Sequence, residues 1–296
     1  AFYALPAFIQ SYTLYYNEDI FNSAGLAYPQ DGWRWMGEVT EAARRLTLDR
    51  NGDGNLDTFG YILDKSVYRI HSYLLAQGLD FVTPDHTRTM LDDPASVRIF
   101  QHFADFEPHA LNYSPSAQQR TGRSEWQMFA TGSAAMYYQG SWQMRRFSQV
   151  ENMNWSVAPI PYGEARQAVT ESVIAFGLSA QGAQKEAAWR VMEVLLSPEV
   201  WGEMYNALMI PPFRVVSGDD RFYESWIAQT GLGRAEIGVL LDALSYTHPI
   251  PRVPQIGQIL DTMTSALAPM WRGEVPASTA LQNAASQINI ILNQAR

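Results

Sequence analysis

The chain has no cysteine. That removes disulfides, zinc–thiolate centres and cysteine nucleophiles, while leaving the compartment open. Basic residues are in deficit: 21 Lys and Arg stand against 30 Asp and Glu, a net charge of −9. Nucleic acid requires a basic stripe, and none is present. Anionic membrane surfaces suit this charge no better. No apolar run reaches the ~18–20 residues needed to span a bilayer. No secretory signal opens the chain, and its first residues, AFYALPAF, read as an internal boundary rather than a natural start. Catalytic signatures are missing as well. There is no G-x-S-x-G, H-E-x-x-H, P-loop or G-x-G-x-x-G. The five histidines are scattered without metal-ligand spacing.

What is present is an ordinary globular composition. Apolar residues make up 47% and charged residues 17% of 296, enough for one large domain or two smaller ones. Aromatics reach 12%. Such a surplus can line a groove for sugars, because a ring stacks on C–H faces while its polar tip hydrogen-bonds.

Helical periodicity marks Asp31 to Leu48, with Asp31 as cap and Met36, Val39, Ala43 and Leu46 inward. Tyr68 to Gln77, stopped by Gly78, and Ala95 to Phe106 follow as helices. Ser124 and Gln127 form a capping box. The runs TFGYILD, AAMYY, WSVAPIP and SVIAFGLS read as strands. Ala183 to Leu196 is helical, Ser197-Pro198 starts another helix, and Pro211-Pro212 breaks the chain. The last helix carries Leu281, Ala284, Ile288, Ile291 and Leu292 on one face. Strands alternating with helices predict an α/β fold.

One stretch invites a metal. In LTLDRNGDGNLDTFGY, residues Asp49, Asn51, Asp53, Asn55 and Asp57 occupy positions 1, 3, 5, 7 and 9 of a calcium loop, with Gly54 at 6 and Leu56 at 8. Position 12, which should be a bidentate carboxylate, is Gly60. A strand-type run follows, so the helix–loop–helix lever of a calcium sensor is missing. Two readings stay open: a structural Ca2+ site on these five residues, or a polar turn whose Asn and Asp side chains bond their own backbone. No other cofactor is called for.

Five ordered stretches resemble the extracellular solute-binding proteins of bacterial ABC importers, in the sugar-binding group (family 1). They are LYYNEDIFNSAGLAYPQDGWRW, the helix and loop ending DRNGDGNLDTFGY, FATGSAAMYYQGSW, NWSVAPIPYG, and the closing block from PIPRVPQIGQILDTM to SQINIIL. The resemblance implies a two-lobe, periplasmic-binding-protein-like α/β fold with the ligand in the cleft. It also implies an incomplete N-terminal lobe, because YALPAF matches a first crossover into the second lobe. Residues 14–139 and 214–296 are then the C-terminal lobe. Residues 1–13 and 140–213 are hinge segments and the remnant of the N-terminal lobe, with later crossovers near Gly140 and Pro211–Phe213. The implied activity is capture without chemistry: a carbohydrate ligand handed to an ABC transporter permease by an extracytoplasmic monomer that binds no nucleic acid. A secreted polysaccharide-acting enzyme and a binding protein feeding a receptor are the alternatives.

Site candidates follow from that resemblance. Gly140, Ser141 and Trp142 lie where the family places an aromatic ring at the cleft, and a core tryptophan is the competing reading. Glu171 and Ser172 match a ligand-facing glycine-rich loop, with bulkier polar groups replacing the glycines. Glu171 could accept sugar hydroxyls or be a solvated loop charge. Tyr68 and His71 face the cleft or form a half-buried structural pair. Arg214 offers a planar fork to a sugar or a carboxylate, or a hinge salt bridge. Trp33 and Trp35 are assigned to the core or rim of the C-terminal lobe.

Overall fold

The computed structural model describes residues 4–197, 199–200, 202–203, 208–210 and 220–294. Its centre is a four-stranded sheet of β2 (Tyr12–Asn17), β3 (Phe59–Ile62), β4 (Ala134–Gly140) and β5 (Trp155–Ala158), in the order β3-β4-β2-β5. β3 runs parallel to β4, and β2 runs antiparallel to both β4 and β5. Every residue of these four strands is buried. That requires cover on both faces, and alternation decides which residue meets which cover. Tyr12, Leu14, Tyr16, Tyr61, Met136 and Tyr138 enter one core. Tyr15, Ile62, Tyr137, Trp155 and Val157 enter the other, joined out of alternation by Phe59 at the start of β3.

The first core is closed by α2 (Thr40–Leu46), α3 (Val67–Ala76) and α4 (Pro94–Ala104). Two C-terminal helices complete it, numbered below as α10 (Ile256–Trp271) and α11 (Ala277–Gln294). The inward stripe of α11 holds Leu281, Ala284, Ile288, Ile291 and Leu292, as its periodicity predicts. The second core is closed by α5 (Glu125–Ala130), α6 (Gln143–Phe147), α8 (Asp220–Thr230) and α9 (Arg234–Ala243). The predicted capping box at the start of α5 is formed, with Gln127 Oε1 accepting from the Ser124 amide at 2.8 Å.

The predicted helix from Asp31 differs in detail. Helical structure begins at Trp35, not at Asp31, and Asp31 caps nothing. Its first turn, Trp35–Val39, is a wide π-type turn in which Gly37 leaves helical geometry (φ −123°, ψ −105°). The wide turn shifts the phase, so Met36 is 43% exposed while Trp35 takes the inward position.

Beside this body lies a second, thinner unit. β1 (Leu5–Gln10) pairs antiparallel with β7 (Ser172–Phe176), from Leu5 opposite Phe176 to Gln10 opposite Ser172. The Ile9 amide also donates to the Ile210 carbonyl at 2.7 Å. Helix α7 (Lys185–Leu195) follows β7. The chain passes between the two units at Gln10–Ser11 and at Glu171–Ser172. The short pair β6 (Val169–Thr170) and β8 (Thr247–His248) sits at the second passage. The expected boundary at Gly140 is therefore displaced. Gly140 ends a buried strand, and residues 141–170 pack with the main body, because β5 is hydrogen-bonded to β2. The crossover expected at Pro211–Phe213 and residues 214–219 lie outside the described residues; Pro198, at the predicted start of the next helix, does too.

The thinner unit exposes apolar side chains: Val173, Ile174, Leu178 and Trp189, with Val191 at 58% and Val194 at 63%. A two-stranded ribbon and one helix cannot bury them alone. The 296-residue chain, studied by itself, is expected to bind the dye ANS. Changing Trp189, Val191 and Val194 to Gln, Ser and Ser should lower that fluorescence by roughly half. An unchanged signal would place the dye elsewhere.

Candidate functional site

Strands β3 and β4 are parallel, so their carboxyl ends lie side by side, at the edge where β2 begins. In open α/β sheets this edge is where ligands bind. Here it gathers Tyr12, Asp64, Arg69, Gln139 and Trp142. Trp142, half-buried, meets Tyr12 edge-on at 5.5 Å between ring centroids and 84° between planes. Its ring folds back over Gly140. A Cβ built on Gly140 would stand 1.9 Å from Trp142 Cζ3. Only glycine leaves that space, so the Gly140-Ser141-Trp142 order is a geometric unit. Ser141 is buried and anchors it, its amide donating to the Ser11 carbonyl at 2.8 Å.

Polar groups beneath the rings are held in a chain. Asp64 accepts from the Ser66 amide at 2.8 Å and from Gln139 Nε2 at 3.0 Å. The same Gln139 amide donates to Tyr137 Oη at 2.8 Å. Arg69 Nε stands 3.4 Å from Asp64, and its guanidinium lies 4.3 Å from the Tyr12 ring centre. Glu125 takes a 2.6 Å bond from Arg120. Burial, and then the Asp64 carboxylate, push the Glu125 pKa up. These are fixed acceptors and donors next to aromatic faces. No side chain among them is a nucleophile aligned on a base.

The remaining predicted residues are placed as follows. Tyr68 is 44% exposed at the start of α3, and its carbonyl accepts from Thr170 Oγ1 at 2.7 Å. That bond ties it to the passage at Glu171. The Glu171 amide donates to the His248 carbonyl at 2.7 Å, and its carboxylate makes no hydrogen bond or ion pair among the described residues. Ser172 Oγ donates to Gln10 Oε1 at 2.8 Å and so joins the two crossing strands. His71 is fully enclosed, which removes it from any ligand surface. Its ring bonds Asp80 (Nε2 to Oδ1, 2.8 Å) and Thr170 (Nδ1 to Oγ1, 3.0 Å), so the structural one of its two readings holds. Arg214 lies outside the described residues. Trp35 is core, and Trp33 packs at the core's margin. Arg69, Asp64 and Gln139 were not foreseen. The one signal was an arginine inside the apolar run of α3.

The Asp/Asn loop spends its oxygens on its own backbone. Asp49 accepts from the amides of Gly52 (2.7 Å) and Gly54 (2.8 Å), Asn51 from that of Asp53 (2.9 Å), and Asp53 from that of Asn55 (2.8 Å). Asp57 accepts from the Arg50 amide at 2.7 Å. Gly60 has no room for a ligating carboxylate, since a Cβ there would stand 2.0 Å from the Ala43 carbonyl oxygen. Among the described residues, no group of three or more His, Cys, Asp or Glu is placed to hold a metal. Melting curves in calcium and in chelator are expected to coincide within about 1 °C, because Gly60 withholds the bidentate carboxylate on which such a loop depends. A rise of several degrees in calcium would restore the metal reading.

Comparison with known proteins agrees with this architecture. The family model for bacterial extracellular solute-binding proteins matches residues 1–200. A protein of Brucella abortus (strain 2308), named only as a binding protein, is 21% identical over 99% of this chain and 68% of its own length. Among solved structures, an ABC substrate-binding protein of Listeria monocytogenes in complex with cycloalternan superposes with a TM-score of 0.86 at 20% identity, covering 98% of this chain and 72% of that one. A solute-binding protein of Thermotoga lettingae bound with α-D-tagatose gives 0.80 at 24% identity, over 98% and 72%. The maltose/maltodextrin-binding domain of Bdellovibrio bacteriovorus bound to maltotriose gives 0.77 at 17%, over 98% and 73%. At such identities the structures establish a shared fold, the mixed α/β fold of periplasmic binding proteins.

Proposed function

The chain belongs to the bacterial extracellular solute-binding protein family, and from that premise we propose that its solute is a carbohydrate, taken up at the carboxyl edge of the main sheet. The family works by capture for ABC transport and carries out no chemistry. The observation that carries the sugar reading is an aromatic wall in which half-buried Trp142 is backed by buried Tyr12, beside part-buried Asp64, which Gln139 holds in place. A pyranose presents apolar C–H faces to a ring and hydroxyls to a carboxylate or an amide. Exposed Tyr68, together with Glu171 at the passage between the two units, would extend that surface. The sugar-bound state of three structural relatives supports the same class.

In this reading the ligand favours a closed arrangement of the two units by contacting both, and the closed form is what an ABC permease receives. No helix among the described residues is long and apolar enough to cross a membrane.

A panel of mono- and oligosaccharides tests the proposal by thermal shift. At a hundred times Kd, one sugar should stabilise the protein by about 2.7 kcal/mol, a rise of several degrees. The sugar should be recovered intact. Release of product from any glycan would replace capture with catalysis. A panel without a shift would remove carbohydrate as the class.

A further inference from the structure

Arg69 is 3% exposed, yet it sits directly behind the wall. Its guanidinium carbon is 4.3 Å from the Tyr12 ring centre, 5.5 Å from that of Tyr138 and 5.6 Å from that of Trp142. Tyr12 and Tyr138 are themselves 6.1 Å apart and tilted by 56°. Asp64 supplies the counter-charge at 3.4 Å and is in turn held by Gln139. Buried Arg69 Nε makes no hydrogen bond. A buried, incompletely bonded charge is an expensive way to fill space, and an apolar side chain would fill it more cheaply. A flat cation among three rings does something that filler cannot. It attracts each ring face and fixes the rings' mutual angles.

We infer that Arg69 is a positioning residue of the solute site: it holds the Trp142 indole in the orientation that a ligand meets, without touching the ligand. The inference rests on the reading that Trp142 faces the solute. Trp142 is the half-buried member of the cluster and the only one of the three rings with an outward side. Gly140 clears the space under its edge, and Arg69 fixes its plane from within. Lysine would keep the charge opposite Asp64 but would lose the flat, delocalised guanidinium. Methionine would keep the bulk and lose the charge.

Indole 15N NMR separates positioning from general support. The Trp142 cross-peak is identified by its loss in Trp142→Phe. In Arg69→Lys, that peak should shift or broaden, while those of Trp155 and Trp226, on the opposite face of the sheet, stay in place. Affinity for the best sugar of the panel should fall at least tenfold in Arg69→Lys, and further in Arg69→Met. Adding Arg69→Lys to Trp142→Ala should cost no additional affinity. A Trp142 peak that stays put, or one that moves together with Trp155 and Trp226, would overturn the inference. Wild-type affinity retained in Arg69→Lys would do the same and leave the proposed function standing. If no sugar binds the wild type, the proposed function falls, and the NMR comparison still decides the role of Arg69.

Discussion

Gly60→Ala is expected to destabilise the protein by about 3 kcal/mol, the upper end for overpacking, and to lower Tm by roughly 5–10 °C. The cause is local and severe. A Cβ at Gly60 would lie 2.0 Å from the Ala43 oxygen, 2.4 Å from its Cα and 2.5 Å from its carbonyl carbon. All three atoms are backbone of α2, so no rotamer change relieves the clash. Either α2 lifts from β3 or the strand moves in the sheet, and both are fully buried at this point. Gly257→Ala is the control. That glycine lies within α10, has nothing within 4 Å of its absent Cβ, and keeps an ordinary φ. Alanine there should be neutral, or stabilising by about 0.4–1 kcal/mol. Thermal melts of the two variants check the pair. Equal Tm values for Gly60→Ala and wild type would show that helix and strand approach less closely than described.

Trp142→Ala is expected to weaken binding of the panel's best sugar by about 10- to 100-fold, the loss of one stacked aromatic face worth roughly 1.5–3 kcal/mol. The companion variant is Gly140→Ala, which leaves the indole in the chain and drives its ring off the strand end, since the new methyl would overlap Cζ3, Cη2 and Cε3. Its affinity should fall in the same direction, although no ligand-facing group has been removed. Isothermal titration gives both numbers. Full affinity in Trp142→Ala would move the solute site away from the carboxyl edge. Full affinity in Gly140→Ala alone would mean that the ring position is free and only its presence matters.

The parts of this protein that were legible in its sequence are those governed by local periodicity. The stripe of α11, the buried run of β4, the capping box of α5 and the stop at Gly78 all depend on neighbours within a few residues. The loop from Asp49 to Asp57 was legible as a polar loop in the same way, and the structure adds which backbone amides its side chains bond. The phase error at Met36 shows the limit. One π-type turn, made where Gly37 departs from helical φ and ψ, adds a residue to the turn and exchanges Met36 for Trp35. Periodicity assumes 3.6 residues per turn and has no term for that change.

The site divides along the same line. Trp142 and Gly140 stood out as candidates because aromatic and glycine residues at a family-like position carry a recognisable pattern, and Tyr68 because it opens an aromatic-rich helix. Arg69 did not, because its meaning comes from rings far along the chain, Tyr12 on β2 and Tyr138 and Trp142 at the end of β4. His71 shows the converse: its partner Thr170 is 99 residues away, and that bond makes it a buried tie, which sequence pattern left undecided between two readings. Residues past Gly140 stay with the main body because β5 pairs with β2, a contact that sequence pattern does not show. By itself the sequence determined the elements, the α/β class, the absence of cysteine and of enzyme signatures, and the kinship to solute-binding proteins. Only the tertiary structure decided which carboxyl ends meet, which glycine makes room for which ring, and which charge lies behind the wall. The strand ends and the charge depend on contacts between residues 57 to 75 positions apart, and hydrophobic pattern, which sorts inside from outside, does not say which inside residues touch.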